Sequence, residues 1–277
     1  MGLKNKDYVD NDVAVYVMTH GPECTWLDNY CIPMDLGADL RNNTQYQFKD
    51  NNGSDSISIK NKLYNELTGL YWMWKYDTHK YVGLYHYRRV FPRIKTSNIP
   101  TILEKYDFIV SKPMIFKQSI ESQYCYCHYK IDWDIMMDEL KSLYPEYYDS
   151  AIKIFSEKRF IPCNMFVSTN ENQNKYCAWL FPLLNNIEKR LNLSDGRSEY
   201  NKRVIAFMGE RLFTLYLFHN KFNLKYVQVS RVPPHFPIHP ICPEPIANIF
   251  YSNILLYNII IDIQKSVGEI IHYRKKR

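Results

Sequence analysis

Apolar positions along this chain change period several times, and the changes predict a sheet wrapped by helices. Residues 12–18, DVAVYVM, alternate and then run apolar, which predicts a buried first strand closed by Thr19-His20-Gly21-Pro22 as a turn. YVGLY at 81–85, YDFIVS at 106–111, CNMFVS at 163–168 and residues 224–229 predict further strands. Between them the period shifts to that of a helix. Leu63, Leu67, Leu70, Tyr71 and Trp74 predict one over 61–76. Ile135, Met136, Leu140 and Leu143 predict another over 133–143. Trp179, Leu180, Leu183, Leu184, Ile187 and Leu191 predict a third over 172–191, kinked at Pro182, and Met208, Leu212, Leu215 and Phe218 a fourth over 203–219. Residues 41–61 are rich in Asn, Asp and Ser and read as a long polar loop, a length often associated with function.

Strands alternating with helices predict an α/β sheet with helices on both faces. A proline cluster from 233 to 245 then interrupts regular structure. Residues 246–277 read as an amphipathic helical extension ending in Tyr273-Arg274-Lys275-Lys276-Arg277, with a single domain over 1–245 before it. An apolar face with a cationic tip suits an anionic membrane surface; the alternative is a helix packed on the domain or against a second subunit, with a solvated tail.

Composition narrows the picture in three places. With 277 residues, 46% of them hydrophobic, the chain can bury one sizeable core. The net charge of +6 suits an acidic ligand such as a nucleotide diphosphate. The basic residues are scattered and form no zinc-finger or RNA-recognition signature, so nucleic acid is not expected as a partner. The seven cysteines are odd in number and form no CxxC pair, which points to free buried thiols in a reducing cytoplasm; Cys125 and Cys127 have the spacing of one strand face, with a metal site the lesser reading. No apolar signal core opens the chain and no run of 18 apolar residues occurs, so the expected location is cytoplasmic, at most peripheral on the inner face of the cell membrane.

Four groups carry candidate chemistry. His86-Tyr87-Arg88-Arg89 follows a buried strand, where open α/β sheets bind ligands. Paired arginines there suit a diphosphate and His86 a proton transfer or phosphate contact, although an ion pair and a core histidine fit the same spacing. Glu66 interrupts an apolar helical run and needs a partner, a ligand or a solvated face. Glu210 stands at the edge of a buried helical face, as a general base or a surface charge. Asp132-Trp133-Asp134 has the form of a metal-binding DxD triplet, but it opens a helix, where Asp serves as a cap.

THGPE, SDSISIKNKLYNELTGLYWMWK, YVGLYHYRRVFP, CHYKIDWD, CNMFVSTNENQNKYCAWLFPLL and MGERLF occur in this order. Together they resemble a family of capsular-polysaccharide and O-antigen biosynthesis proteins, long labelled a domain of unknown function. Its members look like GT-A-type glycosyltransferases, some of them galactofuranosyltransferases. The resemblance spans about residues 12–230 and implies a Rossmann-like mixed sheet flanked by helices that binds a UDP-sugar. It implies donor-binding positions at Thr19, His20, Asp55, Glu66 and Asn164, and acceptor-binding positions at His128 and Asp132. Catalysis falls to Glu210, His86, Arg88 and Arg89. The arginines stand where a typical GT-A enzyme carries DxD, so no metal cofactor is expected to be required, with magnesium or manganese the alternative. The acceptor implied is a growing, lipid-linked glycan. An inverting displacement is expected; a retaining enzyme, or a non-catalytic nucleotide-sugar-binding subunit of a polysaccharide assembly complex, is the alternative.

Overall fold

The computed structural model describes residues 12–20 and 31–231. Gly21, Pro22, Cys24, Cys242, the proline cluster and the C-terminal extension lie outside the described residues. The strands are β1 (Val13–Thr19), β2 (Cys31–Asp35), β3 (Phe48–Lys49), β4 (Tyr81–His86), β5 (Arg89–Val90), β6 (Phe108–Ser111), β7 (Met114–Ile115), β8 (Arg159–Phe160), β9 (Phe166–Thr169), β10 (Leu224–Val227) and β11 (Ser230–Arg231). The α-helices are α1 (Asn61–Tyr64), α2 (Leu67–Tyr76), α3 (Ile99–Leu103), α4 (Ile120–Cys127), α5 (Lys130–Leu143), α6 (Pro145–Ser156), α7 (Asn170–Arg190) and α8 (Val204–His219).

The main sheet runs β10-β6-β9-β4-β1-β2-β3, with β5 and β11 attached beside β4. β1, β2, β3 and β4 are mutually parallel, as are β6 and β10. β9 runs antiparallel to both β4 and β6. The sheet is therefore mixed, and β9 joins its two parallel halves.

Strand alternation divides the core in two. Ala14, Tyr16 and Met18 of β1 face the larger cluster, which includes Leu67, Tyr124, Met136, Phe155, Leu180 and Phe213 from the helices. Val13, Val15 and Val17 face a smaller cluster closed by Phe91 and by Ile99 of α3. Helices cover both faces, as the alternation of strand and helix predicts, but unevenly: the short α3 is the only α-helix contributing to the second cluster among the described residues.

Several expectations are corrected. The helix expected over 61–76 breaks at Asn65, which takes a left-handed φ of 46°. Asn61 Nδ2 donates to the Asn65 carbonyl (2.8 Å) and to Thr68 Oγ1 (2.9 Å), which holds the break and leaves Glu66 at the start of α2. The strand expected from 163 begins at Phe166, because Cys163 and Asn164 form a turn. Cys125 and Cys127 lie on α4 rather than a strand, and residues two apart on a helix do not share a face. None of the five described cysteines forms a disulfide; Cys31 and Cys177 are buried, but Cys127 is exposed. α7 starts at Asn170, two residues earlier than expected, and contains Pro182. β2, α4 and α6 are additional elements.

Much of the loop at 36–60 is tied down by two buried aspartates. Asp35, at the end of β2, accepts from the backbone of Gln45 (2.6 Å) and Tyr46 (2.8 Å) and pairs with Arg41 (3.1 Å). Arg41 also donates to the His20 carbonyl (2.6 Å), tying the β1 and β2 exits together. Asp50 is 1% exposed and accepts from Gly37 N–H (2.7 Å), Ala38 N–H (3.1 Å), Ser58 Oγ (2.5 Å) and Thr68 Oγ1 (2.6 Å). α2 is seated hard on this edge: a Cβ at Gly69 would come within 2.4 Å of Met18 Sδ and 2.8 Å of Leu36 Cδ2.

Removing the Asp50 carboxylate strands the Gly37, Ala38 and Ser58 donors at once and leaves Thr68 only the Asn65 carbonyl. Asp50→Ala is expected to cost about 3 kcal/mol of unfolding free energy, read as a lowered urea midpoint. An unchanged midpoint would show that the loop is held by other contacts.

Candidate active site

The carboxyl ends of β1, β2 and β4 lie side by side, with Met18 opposite His86 and Thr19 opposite Asp35. Because β9 is antiparallel, its entry rather than its exit lies at this edge. Leu84 pairs with Phe166, and continuing the register brings Asn164 level with His86. The N-terminal half of α8 closes over the same place. Gly209 permits this, since a Cβ there would come within 2.8 Å of Leu67 Cδ1 and 3.6 Å of Asn164 Nδ2.

At the centre are two non-glycine residues in left-handed backbone, Cys163 (φ 81°) and Asn164 (φ 49°). Such conformations cost about 1–3 kcal/mol each and persist where surrounding bonds dictate them. Here two glutamates do so. Glu66 Oε1 accepts from Asn164 Nδ2 at 2.8 Å, and Glu210 Oε1 accepts from Cys163 N–H at 2.7 Å. Glu66 Oε2 lies 3.7 Å from His86 Nε2, an ion-pair approach rather than a hydrogen bond. Glu210 Oε2 receives Arg211 Nη1 at 3.1 Å. Asn164 Oδ1 is buried without a hydrogen-bond partner, an acceptor left over for a ligand or water.

The two carboxylates are pushed in opposite directions. Burial raises Glu66, but the adjacent His86 and the Asn164 bond outweigh it and hold the group below its ordinary range. Burial raises Glu210 above its ordinary range, and the neighbouring Glu66 charge adds to the effect against Arg211. A glutamate held ionised beside one lifted toward neutrality is a division suited to acid–base work. The Glu210 side chain is 21% exposed and each oxygen keeps a free lone pair, so a ligand hydroxyl can reach it.

The remaining expected residues are distributed unevenly. His20, exposed, stands after β1 and meets Tyr87 edge-on with centroids 6.1 Å apart; Thr19 is fully buried at the strand end. β4 and β5 form a hairpin with Tyr87 and Arg88 at its tip, so the arginines project from this edge of the sheet. The exposed Arg88 guanidinium lies over the Tyr87 ring (4.7 Å), and among the described residues neither it nor Arg89 has a carboxylate partner.

His128 stacks on Phe207 of α8 at 4.2 Å, its Nδ1 2.9 Å from Asn201 Oδ1. Burial, with Arg211 and Arg203 adding, keeps its imidazole below the usual range. Asp55 lies elsewhere. It bonds Tyr71 and pairs with Lys75 (3.2 Å) at the far end of α2, about 14 Å along the helix axis from Glu66.

Asp132 is 1% exposed and receives Arg197 Nη1 (2.9 Å) and Nη2 (3.1 Å). It is not the N-cap of α5, a position held by Tyr129. Arg197 also binds Asp195 (2.7 Å), so the Asp132 carboxylate anchors the loop at 191–203. Asp134 is occupied by Lys130 (2.6 Å). Both carboxylates of the DxD triplet are thus engaged by cations on a helix rather than offered together at a strand end. A separate cavity of about 230 Å³ lies between α2 and α7, lined by Tyr71, Trp74 and Phe181. Its lysines, Lys60 and Lys75, already pair with Glu188 and Asp55.

Sequence reasoning missed Asp35, Asp50 and Arg197, which shape the edge, and Phe207 and Cys163, which line it. For Asp50 and Arg197 no local signal existed; both sit in polar stretches and find partners through the fold.

The family model described as a domain of unknown function, DUF4422, matches residues 14–221. The chain belongs to the DUF4422 family. No curated protein matches it. Among solved structures, the DUF4422 chain is similar to the apo structure of the WbbM bifunctional glycosyltransferase, with a TM-score of 0.73 and 24% identity. The match covers 84% of this chain and 48% of that one, so the DUF4422 chain spans about half the length of the structure it resembles. This likeness shows the fold: a GT-A-like mixed sheet flanked by helices. No described helix is long and apolar enough to cross a membrane.

The Asn164–Glu66 bond provides a test of the electrostatics. Asn164→Asp keeps a residue type that tolerates left-handed backbone but places two carboxylates in contact. The shared proton then has a folded-state pKa above its unfolded value. Its contribution is present at low pH and lost as pH rises through that raised value. The variant is expected to lose about 1–3 kcal/mol more stability, relative to wild type, at pH 7 than at pH 5, read from urea midpoints. A pH-independent difference would remove Glu66 from contact with this residue.

Proposed function

We propose that this chain is a glycosyltransferase that moves a sugar from a UDP-sugar to a glycan acceptor in bacterial surface-polysaccharide synthesis. The observation that carries the reading is the pair of oppositely shifted carboxylates, Glu66 and Glu210, at the strand edge that also bears the Arg88–Arg89 hairpin. The likeness in fold to a bifunctional glycosyltransferase supports the reaction class. The sequence resemblance supports galactofuranose as the sugar and a lipid-linked glycan as the acceptor.

In this reading Glu210 takes the proton of the acceptor hydroxyl as its oxygen attacks the anomeric carbon. The bond from that carbon to the diphosphate oxygen breaks, and its electron pair leaves on the nucleotide. Arg88 and Arg89 meet the developing charge, with guanidinium groups in the role a metal ion fills in other transferases. His20 and Thr19 stand at the nucleotide end. Glu66 stays ionised and fixes His86 and Asn164, whose unpartnered oxygen accepts from a sugar hydroxyl. Attack opposite the leaving group inverts the anomeric centre.

Turnover of labelled UDP-sugars by the full chain tests the reading. The base works only when ionised, so kcat/KM is expected to fall on the acid side with an apparent pKa above the ordinary glutamate value. Glu210→Gln is expected to lower kcat by about 10²–10⁴-fold and to abolish that acid limb. UDP binding with no turnover of any UDP-sugar would reduce the chain to a nucleotide-binding subunit.

Arg88→Ala and Arg89→Ala are each expected to lower kcat/KM by roughly 10²-fold or more while leaving the melting temperature unchanged. Wild-type turnover is expected to survive EDTA. Loss on chelation with recovery in manganese would overturn the arginine role.

A further inference from the structure

From Val204 to Leu217, α8 is buried at every position except Phe207 and Glu210. Three residues apart, these two share one face of the helix, and Arg203, four before Phe207, continues the same line at the helix N-cap. The stripe from Arg203 to Glu210 is about 10 Å long. It is the one opening along the midsection of α8, and it runs outward from the carboxylate assigned above to the acceptor hydroxyl.

The floor of this opening is aromatic. Phe207 stacks on His128 with centroids 4.2 Å apart and planes within 24°, and Tyr200 lies 5.0 Å from Phe207. Tyr200 is 55% exposed, so much of its ring is open to a ligand. Its segment is rigid because Asn201 holds His128, and because the fully buried Arg197 side chain anchors the loop on Asp132 and Asp195. A platform whose side chains are already ordered loses little entropy on binding.

The outer end of the stripe is cationic. The Arg203 guanidinium lies over Tyr200 (4.6 Å) and Phe207 (5.2 Å), and among the described residues it has no carboxylate partner. Lys202 is paired with Glu199, and Lys62 lies close enough to lower the Glu199 pKa, so three cations face one carboxylate. A guanidinium over aromatic rings can still offer N–H groups to an anion, and it binds a carboxylate or phosphate through paired hydrogen bonds.

We propose that Tyr200, Arg203, Phe207 and His128 form an acceptor subsite that selects an anionic saccharide. The accepting hydroxyl sits at Glu210, the sugar ring lies against the exposed part of Tyr200 beside Phe207, and the carboxylate or phosphate of that sugar or its neighbour pairs with Arg203. This assignment of direction rests on the proposed function, in which Glu210 is the base.

Titration calorimetry on the full chain, with methyl glucuronide, methyl glucoside and glucose 6-phosphate as probes, tests it, with UDP titrated separately. Wild type is expected to bind the glucuronide or the phosphate about 10-fold more tightly than the glucoside. Whichever anion is preferred identifies its source as uronate or phosphate. Arg203→Gln is expected to erase the preference, and Tyr200→Ala to weaken all three, with UDP affinity unchanged in both variants. Equal affinity for all three saccharides, no binding of any, or a preference that survives Arg203→Gln would overturn the subsite. A wild type that shows the anionic preference but neither binds UDP nor turns over UDP-sugars keeps the saccharide site and overturns the transferase reading instead.

Discussion

Two glutamates bonded to one left-handed turn hold the working edge of this sheet together. Glu66 comes from the start of α2, Glu210 from α8 and the turn from the approach to β9, so three elements far apart in sequence meet at Cys163 and Asn164. Neither helix could move without breaking its carboxylate's bond to the turn, and neither residue of the turn could relax without losing its acceptor. Strain in the backbone and burial of charge, each unfavourable alone, become mutually supporting here. The electrostatic difference between the carboxylates follows from the same geometry. Glu66 has His86 and an amide donor, whereas Glu210 has a backbone donor and Arg211 but also feels Glu66.

Charge in place of regular structure recurs around the edge. Asp35 and Asp50 gather backbone N–H groups of the loop after β2, and Arg197 gathers two aspartates beneath the loop before α8. Each is a buried ion whose desolvation is offset by bonds on several sides. The outcome is that stretches without helix or strand present their side chains in one arrangement. Side chains along this edge therefore stand on a supported frame even where they are not on a strand or helix.

Much of this architecture is legible in the chain itself. β1, β4, β6 and β10 follow from apolar runs, and α5, α7 and α8 from helical spacing. Glu66 announces itself as a carboxylate in an apolar run, and His-Tyr-Arg-Arg by its place after a strand. What escapes is tertiary. β2, CIPMD, is short and contains a proline, so its strand character comes from lying beside β1. The Asn65 break is selected by Asn61 and Thr68 rather than by a helix-breaking residue. Asp132 looks like a cap until Arg197, 65 residues later, arrives to claim it. Asp50 is one polar residue among many in its loop, and only folding brings its four donors to it.

The reversed direction of β9 sets limits on how this edge can vary in length. Asn164 is placed by counting back from the Leu84–Phe166 pairing, so one added residue just before Phe166 would carry its amide away from Glu66 and swap it for a neighbour. The β4–β5 hairpin is held as well: Tyr87 N–H donates to the Met18 carbonyl at 3.0 Å, and β5 pairs with β11 on its other side. Both the turn and the hairpin base are therefore locked in register. A lineage that kept these bonds would find almost no room for length variation at the turn or at the base of the hairpin.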